Sequence, residues 1–107
     1  MIKENCPLGN IIVLSNQCWY NHILIYHPEM QGNLEDVRAT IADPDKILEN
    51  DKERRYNLVY YKEFKGKYKP NNYLRVPAII LEPSKKGIVT SAYPVIDIYG
   101  GKEIWKK

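Results

Sequence analysis

The spacing of apolar residues changes once along this chain, near Pro44, and this change constrains the fold more than any other feature. Before Pro44, apolar residues recur at a helical spacing, with Trp19, Ile23 and Tyr26 at i, i+4 and i+7. After it, short runs rich in Tyr, Val and Ile alternate with polar residues, which is typical of strands. Short consecutive strands favour an antiparallel meander. The sequence therefore predicts an α+β fold with N-terminal helices packed on a four- or five-stranded antiparallel sheet.

The boundaries of two helices are predicted from polar and proline residues. Ser15 is a good N-cap for a first helix. That helix should end near His27, because the residue before Pro28 is disfavoured in the α region. Asn33 is the predicted N-cap of a second helix, which stops before Pro44.

The predicted strands follow in sequence order. Residues 55–64 and 73–83 have strand composition, and Pro77 places the second of them at a sheet edge or a bulge. Residues 88–99 form a further strand, and Gly100-Gly101 is expected to join it to a final strand as a hairpin.

Length and composition predict one soluble domain spanning residues 1–107, with residues 1–14 as a lead-in and residues 102–107 as a candidate frayed tail. Hydrophobic residues make up 44% and charged residues 27%, a usual balance for a globular protein. No apolar run approaches the roughly 18 residues that span a bilayer, so no membrane partner is expected. Because the N-terminus lacks an apolar leader, a cytoplasmic location is expected.

The cysteines and histidines argue against a metal site. Cys6 and Cys18 are too far apart in sequence for a CxxC pair. His22 and His27 would point about 140° apart on an α-helix and thus could not share one metal ion. With no HExxH motif or Cys/His cluster elsewhere, neither a metal nor another cofactor is expected.

The net charge of +3 is unevenly distributed. Residues 54–75 contain seven basic residues against one acidic residue, Glu63. Lysine and arginine supply most non-specific affinity for nucleic acid, and tyrosines can stack on bases. A solvated strand face with an exposed loop is the alternative interpretation of the same charges. The candidate RNA-binding residues in this stretch are Arg54, Arg55, Lys62, Lys65, Lys67, Lys69 and Tyr73.

Four residues are candidates for a reactive site. His22 would lie beside the buried stripe of the first helix, where a histidine can act as a general base or acid or simply be a hydrogen-bonded residue at the core edge. Strand alternation would place Ser91 and Tyr93 on one face, and Arg75 would join them if its own face coincides. An ordinary half-buried strand is the alternative there. For His27, a role at the helix C-terminus is the default.

The order of these residues resembles the phage-associated branch of the barnase–EndoU–colicin–RelE nuclease superfamily. The similarity covers Trp19-x-x-His22-Ile23, His27-Pro28-Glu29, the Leu-Arg-Val run at residues 74–76, and Ser91-Ala92-Tyr93-Pro94. It runs from about residue 15 to the glycines at 100–101. Thr90 precedes Ser91, and the i, i+2 spacing to Tyr93 selects Ser91 as the hydroxyl of the closing motif.

The resemblance implies metal-independent RNA cleavage by a toxin or phage effector, with His22, Arg75, Ser91 and Tyr93 as catalytic residues. It also implies RNA, either tRNA or mRNA, as the substrate, and an antitoxin or immunity protein as a candidate partner. Two other classes remain open: a domain that binds nucleic acid without cleaving RNA, and a protein-interaction domain of the same fold.

Overall fold

The computed structural model describes residues 1–50 and 57–107, which contain two helices and eight strands. Helix α1 covers residues 16–26, and α2 is Leu34–Ala42, with one 3₁₀ turn, Pro28–Met30, between them. The strands are β1 Ile2–Asn5, β2 Ile11–Leu14, β3 Lys46–Glu49, β4 Leu58–Glu63, β5 Tyr73–Leu81, β6 Lys86–Val89, β7 Tyr93–Val95 and β8 Lys102–Lys106.

All eight strands belong to one sheet in the order β1-β2-β6-β5-β4-β3-β8, and β7 pairs with β5. Every pairing is antiparallel except that of β2 with β6, which is parallel. The predicted α+β class is confirmed. The prediction of a four- or five-stranded meander is wrong, because the strand count is larger and the sheet includes strands from both ends of the chain.

Both chain ends form strands with partners that the sequence pattern did not indicate. Residues 1–14, expected as a lead-in, form β1 and β2, and they bury Ile2, Ile12 and Leu14 in the core. Residues 102–107, expected as a frayed tail, contain β8, which pairs with β3. The hairpin predicted at Gly100-Gly101 is therefore wrong: the chain turns there, but β8 pairs with the outer side of β3 instead of with its predecessor.

Strand β5 is central, although Pro77 predicted an edge or a bulge. The whole of β4 pairs along one side of β5, while on the other side β7 pairs with residues 73–75 and β6 with residues 78–81. Pro77 lies between those two partners. The missing N–H of proline therefore falls at the gap between β6 and β7, and its carbonyl accepts a hydrogen bond from the backbone N–H of Thr90 (3.0 Å).

Helix α1 contains a π-helical turn at Trp19–Ile23. As predicted, the Ser15 hydroxyl caps the helix by accepting a hydrogen bond from the Cys18 N–H (3.0 Å). Trp19 and Ile23 are buried, but Tyr26 is 68% exposed, so its place in the buried stripe was wrongly predicted. A π turn holds one residue more than an α turn. It therefore rotates every later residue by about 100° relative to the stripe.

The two faces of the sheet carry different residues. One face packs against the helices and forms the main core, which includes Trp19, Ile41 and Leu74. The opposite face carries a smaller cluster, which includes Val59 and Tyr61. We call this second face the tyrosine face, because Tyr61, Tyr73 and Tyr93 all belong to it.

Candidate functional site

A row of three side chains crosses the tyrosine face on adjacent strands. Arg75 of β5 lies directly opposite Tyr61 of β4 on one side and directly opposite Tyr93 of β7 on the other. The Arg75 Nε donates a hydrogen bond to the Tyr61 hydroxyl (2.9 Å), and its Nη1 donates to the Tyr93 hydroxyl. The sequence had left open whether the faces of Arg75 and Tyr93 coincide; the cross-strand register shows that they do.

The guanidinium of Arg75 lies among aromatic rings. Its central carbon is 4.9 Å from the ring centroid of Tyr99, 5.5 Å from that of Tyr93 and 5.9 Å from that of Tyr61. Such cation–π contacts stabilise a cation whose hydration is largely lost. Arg75 is only 3% exposed. The site is thus a buried positive charge beneath a layer of tyrosines, one of which, Tyr99, is half exposed.

Tyr61 connects Arg75 to Tyr99 through hydrogen bonds. Its hydroxyl accepts from Arg75 and donates to the backbone carbonyl of Tyr99 (2.8 Å). Burial raises the pKa of Tyr61, although Arg75 acts in the opposite direction. Tyr61 therefore remains a protonated phenol that fixes the chain after β7 over the guanidinium.

His27 extends the row beyond β7. Its imidazole stacks on the Tyr93 ring at a centroid distance of 4.6 Å and an interplanar angle of 19°. Its Nδ1 is 3.7 Å from Oε1 of Glu29. Burial lowers the pKa of His27, Glu29 raises it, and His22 lowers it. The net direction is downward, so the imidazole is mostly neutral at pH 7 and able to accept a proton.

His22, the histidine predicted to react, lies on the exposed surface of α1. Its ring is 5.0 Å from that of Tyr26, and its charge acts on His27. Together with Ser15, Cys18 and other residues, His22 lines a shallow cavity of about 310 Å³. The structure therefore puts His27, rather than His22, in ring contact with the Arg75–Tyr93 pair.

Ser91 lies between two strands rather than within one. The chain leaves β6 at Val89 and enters β7 at Tyr93, so the predicted continuous strand and its alternation do not extend across Ser91. Ser91 is half-buried, two residues before Tyr93. The Thr90 hydroxyl donates to the carbonyl of Pro77 (3.3 Å), which gives Thr90 a structural role.

The predicted RNA-binding residues are in different environments. Arg54 and Arg55 lie outside the described residues. Lys62 pairs with Asp43 (3.1 Å) and Lys67 with Asp36 (2.6 Å). Lys65 and Lys69 are exposed on the loop between β4 and β5, and Tyr73 is half-buried at the start of β5 on the tyrosine face.

Residues 1–50 and 57–107 contain neither a cluster of metal ligands nor a helix that could span a membrane. No group of three or more His, Cys, Asp or Glu side chains is arranged to hold a metal ion. No helix in this part of the chain is long and apolar enough to span a membrane.

Sequence reasoning missed three members of the site: His27, Tyr61 and Tyr99. His27-Pro28 was identified as a helix end, and that position is what carries the imidazole past the helix onto Tyr93. Tyr61 belongs to the predicted β4 strand, but its partner depends on the β4–β5 register. Tyr99 is the last residue of the segment predicted as a strand, residues 88–99, and its sequence context offered no signal of its own.

Comparison with known proteins gives no match. No family model matches the sequence, and neither the curated proteins nor the solved structures include a significant match.

Proposed function

We propose that the tyrosine face is the active site of an endoribonuclease that cleaves RNA without a metal. The observation that carries this proposal is the continuous row of His27, Tyr93 and Arg75, which places a neutral imidazole, a phenol and a buried cation side by side. The resemblance to the barnase–EndoU–colicin–RelE superfamily supports the same chemistry.

The proposed reaction begins with attack of an RNA 2′-hydroxyl on the adjacent phosphorus. An imidazole takes the hydroxyl proton, the P–O5′ bond breaks, and the leaving 5′-oxygen gains a proton, so the products are a 2′,3′-cyclic phosphate and a 5′-hydroxyl end. Arg75 stabilises the extra negative charge of the phosphorane through its field. This interaction is strong because the cation is fixed and shielded from water. Tyr93 and Ser91 are proposed to position the phosphate by donating hydrogen bonds.

The two histidines are proposed to share the proton transfers. His27 contacts Tyr93 and has a lowered pKa, so it suits the base that activates the 2′-hydroxyl. His22, predicted from the sequence, is near enough for its charge to act on His27 and is exposed to solvent. These properties suit the acid that protonates the leaving 5′-oxygen.

The test is incubation of the purified protein with total RNA in the presence of EDTA, followed by analysis of the new ends. We expect cleavage that leaves 2′,3′-cyclic phosphates. His27→Ala should lose about 10²- to 10⁴-fold in rate while remaining folded, which is the range for a general base. Tyr20→Ala on the exposed surface of α1 is the matched control and should cleave like the wild type.

A binding-only domain is the second candidate function. The low exposure of Arg75 favours this second function. A guanidinium that is buried and hydrogen-bonded to two phenols has a structural role that does not require contact with a reacting phosphate. RNA that binds to the protein but keeps its length in the assay would select this function over cleavage.

An endoribonuclease of this kind damages the cell that makes it, so we also propose a cytoplasmic site of action and an antitoxin or immunity protein as partner. Induced expression should arrest growth, and His27→Ala should relieve the arrest. Growth arrest that persists in His27→Ala would contradict a toxin acting through this site.

A further inference from the structure

A cavity of about 330 Å³ opens beside the His27–Tyr93 stack. We infer that it binds the nucleotide next to the scissile phosphate of a single-stranded RNA. Its volume lies in the range of about 300–1,000 Å³ that is usual for small-ligand sites. That the bound nucleotide is the one next to the scissile phosphate rests on the proposed function, whereas binding of a nucleotide in the cavity does not. The polar and aromatic residues that line it are Glu29, Asn33, Lys67, Tyr68, Lys69 and Asn71.

The cavity lies next to the candidate active site, around the edge of β7. Pro94, which lines it, directly follows Tyr93 in β7 and belongs to the other face of the sheet, because it pairs with Leu74 while Tyr93 pairs with Arg75. Glu29, which also lines it, is 3.7 Å from the imidazole of His27. An RNA strand with one phosphate at His27 that continues past Glu29, around the edge of β7, would therefore place a neighbouring nucleotide in the cavity.

The lining groups match the parts of a nucleotide. The amide of Asn71 can both donate and accept hydrogen bonds, as the edges of unpaired bases require, and the amide of Asn33, whose nitrogen already donates to the Glu29 carbonyl (2.9 Å), still offers its oxygen and a second N–H. Lys69 is exposed and supplies a positive charge for a phosphate. Lys67 is close to Asp36 (2.6 Å), so its charge is largely balanced within the protein. Lys69 is therefore the main phosphate contact in this proposal.

The wall formed by the β4–β5 loop is held in place before any ligand binds. The Tyr68 hydroxyl donates to Oδ2 of Asp36 on α2 (2.6 Å), and the Tyr68 ring packs edge-on against Phe64. The backbone N–H of Asn71 donates to the carbonyl of Tyr68 (2.8 Å). Because the loop is already ordered, binding loses less conformational entropy than binding to a flexible loop would.

The experiment measures equilibrium binding of a 2′-fluoro RNA hexamer, which lacks the 2′-hydroxyl nucleophile and cannot be cleaved by the proposed reaction. Asn71→Ala should weaken binding about two- to tenfold, as expected for lost neutral hydrogen bonds, with an unchanged salt dependence. Lys69→Ala should also weaken binding and should reduce the slope of log K against log salt by about 0.7, the value for one phosphate contact on a single strand.

Lys86→Ala is the matched control for Lys69→Ala. It removes the same charge at the far end of β5, where Lys86 pairs with Leu81. Binding by Asn71→Ala and Lys69→Ala that equals binding by Lys86→Ala would overturn the inference, as would a wild-type protein that does not bind the hexamer. The expected losses, combined with natural RNA left uncut in EDTA, would support the nucleotide site and reject the cleavage proposal.

Discussion

At the scale of single residues, the burial of Arg75 depends on neighbours that replace its water. A charged group taken out of water is destabilising unless it is hydrogen-bonded, and the phenols of Tyr61 and Tyr93 accept its N–H groups. The same contacts orient Tyr93 towards His27. One buried cation therefore organises both the packing of the tyrosine face and the proposed reactive row.

Glu29 is expected to set the pKa of His27. Burial lowers this pKa and the Glu29 carboxylate partly opposes that effect. Glu29→Gln should therefore lower the pKa of His27 further, and the acid limb of the pH–rate profile should move to lower pH. NMR titration of the imidazole measures the shift directly. Glu35→Gln, whose carboxylate pairs with Arg38, is the control. An unchanged or higher pKa in Glu29→Gln would show that the two side chains do not interact.

The lowered pKa of His27 also links stability to pH. Between the folded pKa and the unfolded value of about 6.5, the unfolded chain binds a proton more readily than the folded chain. The contribution of His27 to the free energy of unfolding is therefore present above pH 6.5 and decreases as the pH falls through that interval.

At the scale of elements, the sequence predicted burial in α1 correctly up to the end of the π turn and wrongly after it. Trp19 and Ile23, the first and last residues of the π turn, lie in the core as their spacing indicated. Tyr26 lies after it and is exposed. Apolar spacing reports an average helical period and cannot signal one extra residue in a turn. His27 is the C-cap and has left the helical conformation (φ −135°), so helical spacing could not predict its contact with Tyr93.

The strand predictions divide in a similar way. Composition identified the strand regions that contain Arg75 and Tyr93, but their direct pairing depends on a one-residue shift in register between β6 and β7 that alternation does not signal. The pairings of β2 with β6 and of β3 with β8 join residues far apart in sequence. Local patterns carry no information about such partners, so residues 1–14 were predicted as a lead-in and the final strand was predicted to pair with its predecessor instead of with β3.

Trp19→Ala tests the assignment of α1 to the core. Trp19 is 4% exposed, and truncating it should lower the free energy of unfolding by about 3–5 kcal/mol. Tyr20→Ala, the next residue on the exposed side, should change it by less than about 0.5 kcal/mol. Chemical denaturation of both variants measures the difference. Equal stability of the two variants would mean that α1 does not pack through Trp19.

At the scale of the whole molecule, the C-terminal strand forms one edge of the sheet. β8 covers the edge of β3, and Trp105 packs partly against the main core. Lys46 also pairs with Glu103 (2.9 Å). Removing residues 102–107 should therefore lower the free energy of unfolding by about 2–4 kcal/mol, or reduce Tm by roughly 10 °C or more. Removing Lys107 alone is the control and should have a small effect. A truncated protein with the wild-type Tm would restore the interpretation of a frayed tail.

At the same scale, RNA binding by the β4–β5 region can arise from direct contacts between its lysines and phosphates or from the net charge of the protein alone. Alanine at Lys62, Lys65, Lys67 and Lys69 changes the net charge from +3 to −1, since four positive charges are removed. Each lost phosphate contact on a single strand should reduce the salt slope by about 0.7. Lys62 and Lys67 already pair with aspartates, so the expected reduction lies between about 1.4, for Lys65 and Lys69 alone, and about 2.8 for all four.

The matched control for this fourfold variant replaces exposed lysines elsewhere with alanine and reaches the same net charge of −1. The replaced residues are Lys3, Lys85, Lys86 and Lys102. Fluorescence anisotropy with a labelled single-stranded RNA, measured at several salt concentrations, gives both slopes. If the β4–β5 lysines contact phosphates, their replacement flattens the slope by more than the control does, because contact releases counterions at the binding site while net charge acts only at a distance. Equal slopes in the two variants would assign these lysines to the solvated surface and leave RNA binding to the tyrosine face.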